Sequence, residues 1–458
     1  MPRAPGRIDG GGEPVLAGRL VAALEAARAD NVVAESLTHP FHAYPARMHP
    51  ATARALVELF CDRAPADALV VDPFAGSGTT LVEARAVGID AVGIDLNPLA
   101  VLVARAKTWT QTNSRIQTMR RIGNQISGAV LTAGRAARRS GHEPPPLRRI
   151  EGFDPNARNR RLAKWFLPHV RRELEMIAAQ LDALRDEDAE LADVLTAALS
   201  AVLYKVSSRT SDTDPTWVDR QVARGAPARL FAQRVELLAA GLLDLGQTRG
   251  RPPKVIEADA RGLATHVAPG TAWAVITSPP YAGTYDYAEH QRLRFDFLGL
   301  RHRAFDEGEI GARRRLSAQP AEPAGDPRVS PNRGSDTARG PGRDPRVSPN
   351  RGSDRTPAPA LAPAPAAGDP WREDLAAMLV AIAAALRPGR YAAFVIGDSV
   401  AGGKAHHALD DLRDALPGSL DLVGWASQQR PMLGMVERRA FGDRPKAEHV
   451  IVVRASDQ

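Results

Sequence analysis

Cysteine is almost absent from this sequence: Cys61 is the single one in 458 residues. That excludes an intramolecular disulfide framework and any zinc site built on cysteine clusters, and it suits a reducing cytoplasm. Long apolar runs are missing as well. No window approaches the ~18 consecutive apolar residues of a membrane helix, and the opening stretch "MPRAPGRIDGGGEP" has no apolar signal-peptide core. The expectation is a soluble, cytoplasmic protein with no membrane partner. The histidines at 39, 42, 49, 406 and 407 stand without the carboxylate or cysteine spacing of a metal site, so they read as packing or capping residues, with no metal.

What the chain does contain is 44% hydrophobic and 25% charged residues, enough for one large domain with insertions or for two domains. Sixty Lys and Arg stand against 53 Asp and Glu, a net charge of +7 that favours a polyanion such as nucleic acid. A GC-rich coding sequence, which enriches Ala, Arg and Pro, would leave the same balance.

Seven segments read as strands: "ALVVDPFAG" (68–76), "DAVGIDLNP" (90–98), "KVIEADA" (254–260), "AWAVITSPPY" (272–281), "YAAFVIGDS" (391–399), "LDLVGWASQQ" (420–429) and "EHVIVVR" (448–454). Mostly apolar and interleaved with helical patterns, they predict an α/β fold with a doubly wound, mainly parallel sheet covered on both faces. Residues 1–30 read as an arm, Gly/Pro-rich and disordered to 14 and helical beyond. Residues 31–99 begin the sheet domain, 100–253 form a helical insertion, and 254–316 and 371–458 complete the sheet. The Pro/Arg-rich stretch 317–370 reads as a disordered loop. It carries "DPRVSPNRGSD" twice, at 326 and 344, a duplication in a tolerant loop rather than a solenoid.

Within "VVDPFAGSGTT", Asp72 ends the first strand, and Gly76 and Gly78 form a turn that opens a helix. Glycine permits the tight turn and close backbone approach, while the helix start presents free amides to a ligand. Thr79 follows Gly78 where a phosphate-binding P-loop needs lysine, which disfavours nucleotide triphosphate hydrolysis. Asp95 closes the second strand seventeen residues after Gly78, where a Rossmann-type acid grips ribose hydroxyls.

Together with "TSPPY" (277–281), this loop resembles the S-adenosylmethionine-dependent amino-methyltransferases of DNA. "DPFAGSGTT" is similar to their cofactor loop, "TSPPY" to their catalytic tetrad, and "HAYPARMHPATARALV" (42–57) to a cofactor-binding segment that some members carry upstream. The resemblance implies a Rossmann-like methyltransferase sheet, S-adenosylmethionine as cofactor and DNA as partner, and it leaves open a cognate restriction endonuclease. It also implies that Asp72, Pro73, Phe74, Gly76, Ser77, Gly78 and Thr79 hold the methionine end of the cofactor. Asp95 would take the ribose and Asp259 the adenine amino group. For Asp259 a helix N-cap is an equal reading, and Asn97 reads as a turn residue.

The chemistry of Ser278, Pro279, Pro280 and Tyr281 supports the same reading. An exocyclic base amine shares its lone pair with the ring, so it is a poor nucleophile. Acceptors on both N–H groups, here the Ser278 hydroxyl and the Pro279 carbonyl, free that lone pair if they are fixed in advance. Tyr281 offers a face for a base drawn out of the duplex. Carbon-5 methylation of cytosine needs a cysteine nucleophile, and Cys61 reads as a core residue instead. A serine-headed tetrad leans, by the resemblance, toward cytosine N4 over adenine N6.

For target recognition the expected contacts are Arg313, Arg314 and Arg315 of "GARRRL", then Lys205 and Arg209. Arg160, Arg161, Arg171, Arg172 and Arg220 are lesser candidates, and the insertion is the preferred recognition lobe. Two other functions stay open at this stage: methylation of an RNA amine, and a catalytically silent DNA-binding subunit of the same fold.

Overall fold

A computed structural model describes residues 6–30, 32–140, 148–210, 216–248, 250–283, 286–312, 369–442 and 444–457. Its strands are β1 (Ile8–Gly12), β2 (Leu69–Asp72), β3 (Asp90–Asp95), β4 (Lys254–Glu257) and β5 (Ala272–Thr277), then β6 (Leu386–Gly397), β7 (Ser399–Ala401), β8 (Lys404–His406), β9 (Leu420–Gln429) and β10 (Ala447–Ala455). Eight form one sheet in the order β1-β9-β10-β6-β5-β2-β3-β4, and β7 and β8 make a separate hairpin. β4, β3, β2, β5 and β6 pair in parallel, while β10 lies antiparallel between β6 and β9.

Parallel pairing requires crossovers, and these place helices on both faces. Alternation along each strand then fills two cores. Val71, Val275, Phe394 and Ile451 pack with helix Pro370–Ala385 on one side. Val70, Ile276, Val395 and Val450 pack with helices Pro14–Ala29 and Pro50–Cys61 on the other. All seven expected strands are present. The order reverses at β2, whose neighbours are β3 and β5, so the crevice beyond the carboxyl ends of β2 and β5 is the natural ligand position of this topology.

Two expectations are corrected. Residues 8–12, expected to be disordered, form β1, an edge strand antiparallel to β9 with Gly11 opposite Trp425. The glycines there serve close approach: a Cβ on Gly11 would lie 2.8 Å from the Trp425 ring, and one on Gly12 would lie 2.5 Å from Gly424 Cα. The insertion also begins later than residue 100. Helix Pro98–Lys107, capped by the Asn97 side chain, belongs to the sheet layer, with Val101 and Ala104 in its core.

Beyond it, helices Asn113–Ser140, Pro155–Trp165, Pro168–Glu187, Ala189–Leu203 and Ala226–Gly246 build a lobe with its own apolar core. Leu293 and Phe297, from the helix Arg292–Leu298 that follows the tetrad, complete that core. No described helix is long and apolar enough to cross a membrane. The duplicated eleven residues lie outside the described residues, as does the whole of 317–370 except Asp369 and Pro370, which open helix Pro370–Ala385.

Candidate active site

The glycine turn after β2 depends on left-handed backbone, with Gly76 at φ 50° and Gly78 at φ 79°. Gly78 also backs onto helix Pro98–Lys107, where a side chain would meet the Ala104 Cβ at 3.1 Å. The turn is held from two carboxylates. Asp72 accepts from the Phe74 amide at 3.1 Å, and Asp95 accepts from the Gly76 and Asn97 amides, each at 2.8 Å. Burial pushes both carboxyls up to about 6, against the lowering effect of these hydrogen bonds.

Asp72 is tied directly to the second motif. Thr277, the last residue of β5, donates its hydroxyl to Asp72 Oδ1 at 2.6 Å across 205 residues of sequence. One cleft results, lined by Asp72, Pro73, Phe74, Gly76, Ser77, Thr79, Asp95 and Asp259 together with Ser278 and Pro280. Gly78, Pro279 and Tyr281 are not among its lining residues. Asp259 caps the short helix Ala260–Thr265 and is bound by the Arg261 guanidinium, so capping and cleft lining coincide in one side chain. Ser77 Oγ and Thr79 Oγ1 are buried at the cleft with no hydrogen-bond partner among the described residues. Buried hydroxyls of that kind fit a polar ligand.

Ser278 donates its hydroxyl proton to the Val395 carbonyl at 2.8 Å, so toward the cleft its oxygen can only accept. The Pro280 carbonyl is engaged by Trp371 Nε1 at 3.4 Å, while that of Pro279 has no protein donor among the described residues. Tyr281 donates its hydroxyl to Glu448 Oε1 at 3.1 Å. Burial and the neighbouring Glu448 charge hold that phenol well above its ordinary range, hence protonated. Its ring lies against Gly397, where a Cβ would sit 2.7 Å from Cε2.

Several further residues line the cleft, some of them from the upstream segment whose resemblance to a cofactor-binding stretch singled out no individual residue. Tyr44, Arg47 and Met48 come from the upstream segment 42–57, with Ala46 in a left-handed conformation at φ 52°. Tyr287 and Phe305 come from helices after the tetrad, Glu309 directly follows the second of these, and none carries a signature. Asn97 does more than turn the chain: it caps Leu99 and donates to Gln291 Oε1 at 2.8 Å and to the Tyr44 hydroxyl at 3.2 Å. Cys61 ends its helix 8% exposed, and burial pushes its thiol up to about 12, the reverse of an activated nucleophile.

The candidates for nucleic-acid contact fare differently. Arg313, Arg314 and Arg315 lie outside the described residues. Lys205 is exposed, but Arg209 is buried, with its guanidinium 5.6 Å from the Trp217 ring centre. Arg161 grips Asp296 with two bonds of 2.6 and 2.7 Å, and Arg220 is engaged by the carbonyls of Tyr204, Lys205 and Arg209. An amphipathic pattern cannot separate such arginines from solvent-facing ones, because their partners lie on other helices.

Comparison with known proteins agrees with this geometry. The N6/N4 methyltransferase family model, described as DNA methylase, matches residues 26–105. The Type II methyltransferase M.MvaI of Kocuria varians is 27% identical over 290 residues, 59% of this chain and 60% of the relative. The Type II methyltransferase M.MjaII of Methanocaldococcus jannaschii is 40% identical over 70 residues, 15% of this chain and 12% of the relative. The matches thus span 60% of the first relative's length and 12% of the second's, less than two thirds of either. A solved rRNA methyltransferase, aviRa from Streptomyces viridochromogenes, aligns over 93% of this chain and 95% of its own at 12% identity, with a TM-score of 0.30 that adds nothing to the argument.

Proposed function

We propose that this chain is an N6/N4-type amino-methyltransferase that transfers a methyl group from S-adenosylmethionine to an exocyclic base amine in DNA. The observation that carries the reading is the Thr277–Asp72 hydrogen bond, which joins the glycine-loop carboxylate to the residue preceding Ser278. Most of the glycine-loop residues and, from the tetrad, Ser278 and Pro280 therefore line one cleft.

Bound there, S-adenosylmethionine would supply an electrophilic methyl on a cationic sulfur. Asp72 and the unpartnered Ser77 and Thr79 hydroxyls suit its methionine end, whereas the amides of Phe74, Ala75, Gly76 and Gly78 are already donated within the fold. Asp95, whose two oxygens accept one amide each, keeps lone pairs for ribose hydroxyls. Asp259 is assigned to the adenine amino group. Ser278 Oγ, its own proton committed to Val395, accepts one N–H of the target amine, and the Pro279 carbonyl accepts the other. Both acceptors are fixed before the base arrives, so little reorganisation is left for the reaction itself. Tyr281 is the stacking surface for the extruded base.

The serine head of the tetrad favours cytosine N4 as the acceptor. Nucleosides from DNA labelled by the purified protein should contain N4-methylcytosine. Recovery of N6-methyladenine alone would reverse the base assignment and leave the reaction class standing. The likeness to Type II methyltransferases makes a cognate restriction endonuclease the natural partner, and DNA modified by this chain should resist it.

A further inference from the structure

The connection between β9 and β10, residues 430–446, is tied back to the body of the protein by part of its polar side chains and by one aromatic. Lys446 Nζ meets Glu437 at 2.6 Å, Arg444 reaches Asp410 at 2.6 Å, and buried Phe441 meets His407 edge-on at 5.5 Å. Its apolar side chains face water, with Leu433, Met435 and Val436 at 66, 62 and 65% exposure. Eight large hydrophobics are exposed among the described residues, and three of them fall within these four positions. Arg438 and Arg439, also exposed, stand beside them with no acidic partner among the described residues.

The loop is also at the right place. β10 starts opposite the end of β6, with Glu448 paired to Gly397, so the loop projects from the sheet edge that carries Ser278. Its first residue, Arg430, is bound to Glu448, the carboxylate that also receives the Tyr281 hydroxyl. The base of the loop, at Arg430, is thus connected to the tetrad by two side-chain contacts.

We propose that this loop engages duplex DNA at the target pair: Arg438 and Arg439 meet phosphates, while Leu433, Met435 and Val436 enter the stack as an apolar wedge where the base departs. The inference rests on the reading of methyl transfer to DNA. Basic side chains around an exposed apolar tip match a duplex, which offers phosphates outside and base faces within. Filling the vacated position offsets the unstacking that extrusion requires.

The test uses the full chain and the site found by sequencing labelled DNA. Methyl transfer is measured on one target strand presented in a complete duplex, opposite an abasic position, and alone. For the triple variant Leu433→Ala, Met435→Ala, Val436→Ala, kcat/KM on the complete duplex should fall about tenfold or more, while the other two substrates stay within about twofold, because their base is already unstacked. Arg438→Ala with Arg439→Ala should weaken binding to every duplex alike and flatten the logarithmic salt dependence by roughly one to two. Equal effects of the triple variant on all three substrates, or no effect, would overturn the wedge. So would a change in sedimentation showing that a second copy covers the patch. Wild type that labels no DNA would bring down the methyl-transfer reading and the inference with it, whereas labelled duplex with indifferent variants brings down the inference alone.

Discussion

The helical insertion and the β9–β10 loop are both rich in arginine and use it in opposite ways. In the insertion the guanidinium groups build the lobe. Arg158, 2% exposed, donates to the Asp296 carbonyl at 2.7 Å and to Glu175 at 3.2 Å, and Arg148 bridges Glu175 and Asp182 at 2.9 Å each. In the loop Arg438 and Arg439 face solvent beside an apolar tip at the catalytic edge. Counting basic residues therefore does not separate arginines that hold the fold together from those open to a ligand. Which charges are already neutralised decides what a surface can bind.

The largest effect that could break this contrast is on stability. Arg158→Ala takes the donor from the buried Asp296 carbonyl and one of two guanidinium groups from Glu175 and the Phe297 carbonyl, which keep Arg148. It should cost about 3 kcal/mol, the low end for removal of one partner of a buried ion pair. A shifted urea midpoint with unchanged specific activity in the folded fraction is the expected result. Lost activity without lost stability would make Arg158 a functional residue after all.

Next comes the cleft, where the expectation is reversed. Ser278→Ala should lower kcat by roughly 10²-fold, the usual effect of removing one preorganised polar contact to the reacting group. Thermal unfolding should not move, since the hydroxyl holds only the Val395 carbonyl. A variant as active as wild type would remove Ser278 from the chemistry.

A third expectation concerns pH. Asp72 and Asp95 are both pushed up to about 6, and the cationic cofactor favours their ionised forms. Affinity for S-adenosylmethionine should fall as pH drops below about 6, by at most ~tenfold per unit for each carboxylate. Stability of the free protein should change with the opposite sign. A carboxyl with a raised folded pKa contributes stability below its unfolded value, and that contribution is lost as pH rises through about 6. Calorimetric titrations from pH 5 to 7 on wild type and Asp95→Asn check both, and a flat affinity profile would mean neutral carboxyls in the complex. The smallest effect is reserved for Lys205→Ala: an exposed insertion lysine should change duplex affinity by less than about twofold, and a larger change in a gel-shift titration would return the insertion to the DNA-binding surface.

Much of this was legible before any coordinates. Gly76 and Gly78 betray a left-handed turn because few other residues tolerate it, and Ser-Pro-Pro-Tyr after an apolar run announces rigid acceptors at a strand end. The seven strands follow from apolar runs of the right length. The strand at residues 8–12 is hidden in the sequence because glycine reports backbone freedom and close approach with the same letter. Tyr287, Phe305 and Glu309 carried no signal, since lining a cleft asks only for shape.

Local steric and hydrogen-bonding rules, acting over a few residues, are what the sequence by itself determined: the glycine turn, the serine and two prolines beyond β5, and the alternation that makes a covered sheet. Only the tertiary structure decided that Thr277 meets Asp72, that Glu448 holds Tyr281, that Arg158 is buried and that Arg438 is not. Those contacts join residues far apart along the chain, and the partner that neutralises a charge is invisible until folding brings it within a few ångströms.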